Sequence, residues 1–131
     1  AKIMDMVFSK GSEGSTFGGY PLACVAGTAA LKVFEEEKLA EQSAIKGKIL
    51  KEKIEAIAKK SVHVKEVRGK GLFIGIEVKD GNAMEFCRKL LKLGLIVNDS
   101  HGHTIRISPP LIINEEEMDF MVKQLEKVLI D

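Results

Sequence analysis

Residues 67–78, Val-Arg-Gly-Lys-Gly-Leu-Phe-Ile-Gly-Ile-Glu-Val, decide the fold. From Leu72 to Val78 the chain is rich in β-branched and aromatic residues and alternates as a half-buried strand does. Val62, Val64 and Val67 lead into this run, and Gly69 and Gly71 interrupt it. Glycine inside a strand pattern marks a bend or a turn, so the stretch reads either as two short strands or as one long bent strand.

Outside this stretch the apolar period becomes helical. A helix is expected from Pro21, where a missing N–H costs nothing, with Leu22, Val25, Ala26, Ala29 and Val33 forming a small-residue face. A second runs from about Leu39 to Lys60, with Ile45, Ile49, Leu50, Ile54 and Ile57 on its inner side and lysines and glutamates on the other. Beyond Val78, Gly81 and Asn82 turn the chain into a helix whose Ala83, Met84, Cys87, Leu90 and Leu91 face inward, and Gly94 supplies a left-handed cap. Short strands are expected at Leu95 to Val97 and Thr104 to Ile107, flanking the polar loop NDSHGH. After Pro109 and Pro110, Asn114 opens a last helix with Glu117 at the capping-box position and a stripe of Met118, Met121, Leu125 and Val128. Clustered short strands among helices predict an α+β domain of two layers, a short, mostly antiparallel sheet covered by helices.

The length of 131 residues suits one compact core, and the chain is 45% hydrophobic with no apolar run long enough to span a membrane. Lys and Arg number 20 against 19 for Asp and Glu, a net charge of +1, so nothing global draws the chain to nucleic acid or to an acidic membrane. Any bound anion must be held locally. Cys24 and Cys87 lack metal-ligand spacing and are read as reduced core residues in a cytoplasmic or organelle-matrix setting. The opening AKIMDMVFSK lacks the h-region of a signal peptide and is expected to come from the interior of a longer chain.

Three places invite chemistry. The loop GSEGSTFGG at 11–19 holds four of the 12 glycines and opens onto a helix N-terminus. Backbone N–H groups and the hydroxyls of Ser15 and Thr16 could cradle a phosphate there, although the loop has neither P-loop nor dinucleotide-fingerprint spacing, and a plain connector is the alternative. His101 and His103 lack a third ligand nearby, so no metal site is expected. Arg106 lies between Ile105 and Ile107 on a strand before the rigid Pro-Pro corner. It is either a pre-formed fork for a carboxylate or one half of a structural ion pair at a sheet edge. No nucleophile motif and no singled-out carboxylate pair is present.

These segments together resemble a known family. EGSTFGGYPLAC at 13–24 resembles the HGSTFGGNPLAC segment of class III pyridoxal-phosphate-dependent aminotransferases, and VRGKGL at 67–72 is similar to the start of their C-terminal domain. His101-Gly102, Ile105-Arg106 and Pro109-Pro110-Leu111 match a THG-x-x-IR-x-x-PPL pattern that, within the class, is closest to ornithine aminotransferase; acetylornithine and 4-aminobutyrate aminotransferases share much of it. The resemblance implies the small domain of a fold-type I aminotransferase. Residues 1–20 would be the lead-in loop from the large domain, 21–38 the interdomain helix and 39–131 the C-terminal small domain. It implies transfer of the ornithine δ-amino group to a 2-oxo acid such as 2-oxoglutarate, with pyridoxal 5′-phosphate as cofactor and a homodimer as the working unit, in the cytoplasm or, for a eukaryotic parent, the mitochondrial matrix. Thr16, with Ser15 beside it, would reach the cofactor phosphate of the neighbouring subunit, and Arg106 would grip a substrate carboxylate. The family's Schiff-base lysine lies upstream of the GST loop, so no catalytic residue is assigned in this chain, which is expected to be inactive alone. Glu13 and Tyr20 depart from the family's histidine and asparagine, and an acidic residue beside a phosphate loop opposes anion binding.

Overall fold

A computed structural model describes residues 14–79 and 81–130, which fall into two compact units, 1–37 and 38–131. Glu13 therefore lies outside the described residues.

The first unit contains helix α1, Pro21–Glu36, with proline in its first turn and Tyr20 as a cap that makes no side-chain bond. The helix forms where the sequence predicts it, but none of its residues is buried, Cys24 included. The reading of Cys24 as a core residue is thus corrected. The helix carries its small and apolar residues at helical spacing, yet among the described residues the unit has no second helix or strand to bury them.

The second unit runs α2 (Leu39–Ala58), β1 (Val64–Lys70), β2 (Phe73–Val78), α3 (Ala83–Lys92), β3 (Asn98–Ser100), β4 (Thr104–Ile107) and α4 (Glu115–Ile130). The four strands form one sheet in the order β1-β2-β4-β3, and every pairing is antiparallel. The decisive stretch is a hairpin: of the two readings, two strands is the one observed. Gly71 makes the turn with φ 55°, and Gly69 sits where a Cβ would meet the Phe73 carbonyl oxygen at 2.2 Å, so both positions exclude side chains.

Ile74, Ile76 and Val78 of β2 point to one side with Ile105 and Ile107 of β4 and are at most 2% exposed. Leu50 and Ile54 of α2, Ala83, Phe86, Cys87 and Leu90 of α3, and Met118, Met121, Leu125 and Leu129 of α4 close over them in one core. Burying a Leu or Ile side chain contributes roughly 1.5–3 kcal/mol, so this face supplies the bulk of the folding energy. Ser61, buried where α2 gives way to β1, donates its hydroxyl to the Leu129 carbonyl and accepts the N–H groups of His63 and Val64. One side chain thereby joins three elements.

The helix stripes differ in detail from the sequence pattern. In α2 the buried positions are Leu39, Gly47, Leu50, Ile54 and Ile57, whereas Ile45 and Ile49 are exposed. At 100° per residue Ile45 and Ile49 lie well off the line through 47, 50, 54 and 57. In α3 Phe86 is buried and Met84 and Leu91 are exposed, by the same geometry. The expected strand at Leu95 to Val97 is instead Asn98–Ser100, because pairing with β4 joins Asn98 to Arg106 and Ser100 to Thr104. Gly94 does adopt the left-handed conformation, with φ 84°. The capping box is complete: the Asn114 N–H donates to Glu117 Oε2 at 3.0 Å and the Glu117 N–H to Asn114 Oδ1 at 2.9 Å.

Candidate carboxylate site on the open sheet face

Alternation that sends aliphatics inward sends a different set outward. Arg68 pairs with Gly75, Gly75 with Arg106, and Arg106 with Asn98, so these four residues form one row across the sheet on the face away from the helices. The next row holds Glu66, Glu77, Thr104 and Ser100. A hollow of about 280 Å³ opens on this face, lined by Arg68, Gly69, Phe73, Gly75, Thr104 and Arg106. Gly75 sits at its centre. A Cβ there would lie 3.0 Å from Thr104 Cγ2 and 3.9 Å from Arg68 Cγ, so the missing side chain is what keeps the floor open.

The two arginines are in different electrostatic states. Arg68 Nη1 lies 2.5 Å from Glu77 Oε2 and 3.4 Å from Glu66 Oε2, and its Nη2 donates to Thr104 Oγ1 at 3.3 Å. Glu77 is bound as well by Lys65 Nζ at 2.6 Å. The hydrogen bonds from Lys65 and then Arg68 hold the Glu77 carboxyl below the usual carboxylate range, while the Glu77 contact raises Lys65. The cause lies in the register. A bulge between Val64 and Glu66 sets Glu66 directly opposite Glu77, and like charges so placed repel unless a cation bridges them. Arg68 is that cation.

Arg106 has no ion-pair or hydrogen-bond partner among the described residues. Its cross-strand neighbours, Gly75 and Asn98, are uncharged. It also lies on an inner strand of the sheet, not at an edge. The structural ion pair that the sequence left open is thus absent at Arg106 among the described residues and belongs to Arg68. Arg106 remains a guanidinium with its planar donor fork unused, which is the chemistry of a carboxylate contact.

Ser15 and Thr16 lie in the first unit and are exposed. The stretch is locally folded: the Gly18 N–H donates to the Ser15 carbonyl at 3.3 Å and the Tyr20 N–H to the Phe17 carbonyl at 3.1 Å. Neither hydroxyl has a hydrogen-bond partner among the described residues, so both are available as donors to an anion such as a phosphate. No group of three metal-ligating side chains occurs among the described residues. His101 Nδ1 is 2.9 Å from Ser100 Oγ in the β3–β4 turn. A second hollow between the β4 end and α4 offers little chemistry, since its one carboxylate, Glu117, closes the capping box.

The sequence matches the family described as aminotransferase class-III over residues 1–129. The chain belongs to the class III aminotransferases. Ornithine aminotransferase of Bacillus subtilis is 46% identical over 123 residues, which cover 94% of this chain and 30% of that protein. Ornithine aminotransferase of Oceanobacillus iheyensis is 45% identical over 128 residues, 98% and 31% of the two. Among solved structures, ornithine δ-aminotransferase of Plasmodium falciparum superposes with a TM-score of 0.83 at 38% identity, over 95% of this chain and 33% of that one. Acetylornithine aminotransferase of Elizabethkingia anophelis gives 0.83 at 40% identity over 95% of this chain and 34% of that one. This class III aminotransferase chain thus spans about a third of the length of the relatives it matches, and its sheet and helices are those of a small α+β domain in solved aminotransferase structures.

Sequence reasoning found Ser15, Thr16 and Arg106 as candidates but missed Gly75 and Glu77. Their outward parity in LFIGIEV was the available signal. What it could not show was which outward residues on three other strands would share their rows.

Proposed function

We propose that the chain is the C-terminal part of an ornithine aminotransferase, an enzyme that moves the δ-amino group of ornithine to a 2-oxo acid such as 2-oxoglutarate with pyridoxal 5′-phosphate as cofactor. Residues 39–131 form its small domain, 21–38 its interdomain helix and 1–20 the lead-in loop. The observation that carries this reading is Arg106: a guanidinium with no partner among the described residues, on a rigid inner strand and lining a hollow whose floor is glycine. Held on a strand, it meets a substrate carboxylate with little reorganisation and fixes the angle at which the substrate enters. Ser15 and Thr16 donate hydroxyl hydrogen bonds to the cofactor phosphate of the neighbouring subunit of a homodimer. The cofactor, when bound, supplies the electron sink for the transfer, and the chain's own residues hold and orient. None of its lysines matches the family's Schiff-base motif, so the 131-residue chain alone is inactive.

Arg106→Ala in the full-length enzyme tests the reading. It should lower kcat/KM for the amino or oxo substrate at least tenfold, a loss of about 1.4 kcal/mol or more in transition-state binding. An unchanged kcat/KM would leave Arg106 a surface residue of the sheet. Likeness to acetylornithine aminotransferase, at the same TM-score as the ornithine enzyme, supports a second reading in which the donor is N-acetylated. Comparing kcat/KM for ornithine and N-acetylornithine separates the two.

A further inference from the structure

Arg68 and Arg106 stand on one face with a single glycine between them, and strands about 4.8 Å apart put their Cα atoms roughly 10 Å from each other. Both line the same hollow. Shape alone would make this a two-guanidinium cleft for a molecule with two carboxylates. Charge says otherwise. Lys65, Arg68, Glu66 and Glu77 are bound to one another and sum to zero, which among the described residues leaves Arg106 as the net positive charge lining the hollow. The Glu77 side chain is the linchpin, since it is only 18% exposed and takes both Lys65 and Arg68. Thr104 then fixes the other side of the Arg68 fork.

We propose that Glu77 is a specificity-determining residue of this hollow: by engaging Arg68 it leaves Arg106 as the one available guanidinium among the described residues that line it, so the hollow takes a single carboxylate group and does not favour dicarboxylates over monocarboxylates. The second carboxylate of a dicarboxylic 2-oxo acid is then met elsewhere in the enzyme. This rests on the reading of Arg106 as a carboxylate contact and adds to it the control of how many carboxylates are recognised. Glu77 is kept ionised by its two cations at neutral pH, so the restraint on Arg68 holds under working conditions.

The test uses the ¹⁵N-labelled 131-residue chain, with acetate and glutarate as probes and the arginine Nε–H signals as readout, fold retention being checked on the backbone amides. In the wild type both anions should shift the Arg106 signal, with glutarate only about twofold stronger, the statistical advantage of two equivalent ends. In Glu77→Gln the glutarate-to-acetate ratio should rise at least fivefold and the Arg68 signal should respond. Adding Arg68→Met, which keeps an unbranched stem but removes the charge, should return the ratio to about two. Glu66→Gln makes the same change in net charge on the same face while leaving Glu77 on Arg68, and should leave the ratio at the wild-type value. A ratio unchanged in Glu77→Gln, a rise that survives Arg68→Met, or an equal rise in Glu66→Gln overturns the inference while Arg106 still responds. If neither anion moves the Arg106 signal in any of these proteins, the carboxylate reading itself fails and the inference falls with it.

Discussion

Replacing Gly47 by alanine should destabilise the protein, although the same change at an ordinary helix position stabilises it. Gly47 lies inside α2, where glycine costs roughly 0.8–1 kcal/mol relative to alanine. It is buried, and a Cβ built on it would lie 2.1 Å from the Gly71 carbonyl carbon and 2.2 Å from its oxygen. Those are backbone atoms of the β1–β2 turn, and they cannot rotate aside as a side chain would. Restoring even a tight 3.4 Å contact requires the helix and the turn to part by about 1.3 Å. Around the same contact the Leu72 N–H donates to Ser43 Oγ at 3.2 Å, and Ser43 stands one turn before Gly47. Overpacking of this kind costs about 1–3 kcal/mol, and rigid backbone on one side puts Gly47 at the upper end. After subtracting the helix gain, a net loss of about 2 kcal/mol is expected, or a fall in Tm of roughly 8–16 °C for a unit of this size. Urea or thermal unfolding followed by circular dichroism measures it, with faster exchange of the Leu72 amide as the local sign. Gly27→Ala in α1 is the control, because a Cβ there meets nothing within 4 Å. A Gly47→Ala protein as stable as the wild type would refute the close-approach argument.

Other outcomes follow from single contacts. Asn114→Ala removes one half of the capping box and should cost about 1 kcal/mol, seen as a lower urea midpoint with the slope unchanged. Ser61→Ala strands the Leu129 carbonyl and two N–H groups in a buried setting and should cost about 2 kcal/mol by the same measurement. The Glu77 carboxyl is depressed in the folded state, so the stability it contributes is fully present above the ordinary value of 4.5 and is lost as pH falls through the lower folded value. The Tm gap between wild type and Glu77→Gln should therefore be open at neutral pH and close in acid; a gap that persists at pH well below 4.5 would contradict the ion pairing. Burial first, and the nearby Asp99 charge second, raise the Cys87 thiol, so a thiol reagent should modify exposed Cys24 in the native protein and Cys87 only at the rate of unfolding. Borohydride treatment of the chain with pyridoxal phosphate should label no single lysine stoichiometrically.

What could be read from the sequence is what local chemistry dictates. The Gly94 cap and the Asn114–Glu117 box are set within four residues of chain, and both appear where their residues place them. The hairpin at Gly69 and Gly71 is local in the same way. By contrast, β3 is a three-residue edge strand whose limits depend on its partner β4, so the apolar 95–97 run drew the strand assignment away from Asn98–Ser100. Leu95 and Val97 instead pack against the core from outside the strand. Ile45, Ile49, Met84 and Leu91 were misassigned because an apolar residue at near-helical spacing is not yet a residue with something to pack on.

The arginines show why a site is harder to read than a fold. In the sequence Arg68 and Arg106 are alike, each outward on a strand with apolar residues nearby, and the glycines beside Arg68 give it the more conspicuous motif. Their difference is made by one extra residue in β1: the bulge at Lys65 brings Glu66 opposite Glu77, and the repulsion of that pair fixes Arg68 as its counter-ion. Without the bulge, Lys65 would take the position opposite Glu77, and Glu66 and Arg68 would fall opposite Ile76 and Ile74 on the core side of the sheet, so the bulge is also what turns Arg68 to the open face. The availability of a guanidinium in this hollow is therefore a property of register, which alternation along a single strand does not encode.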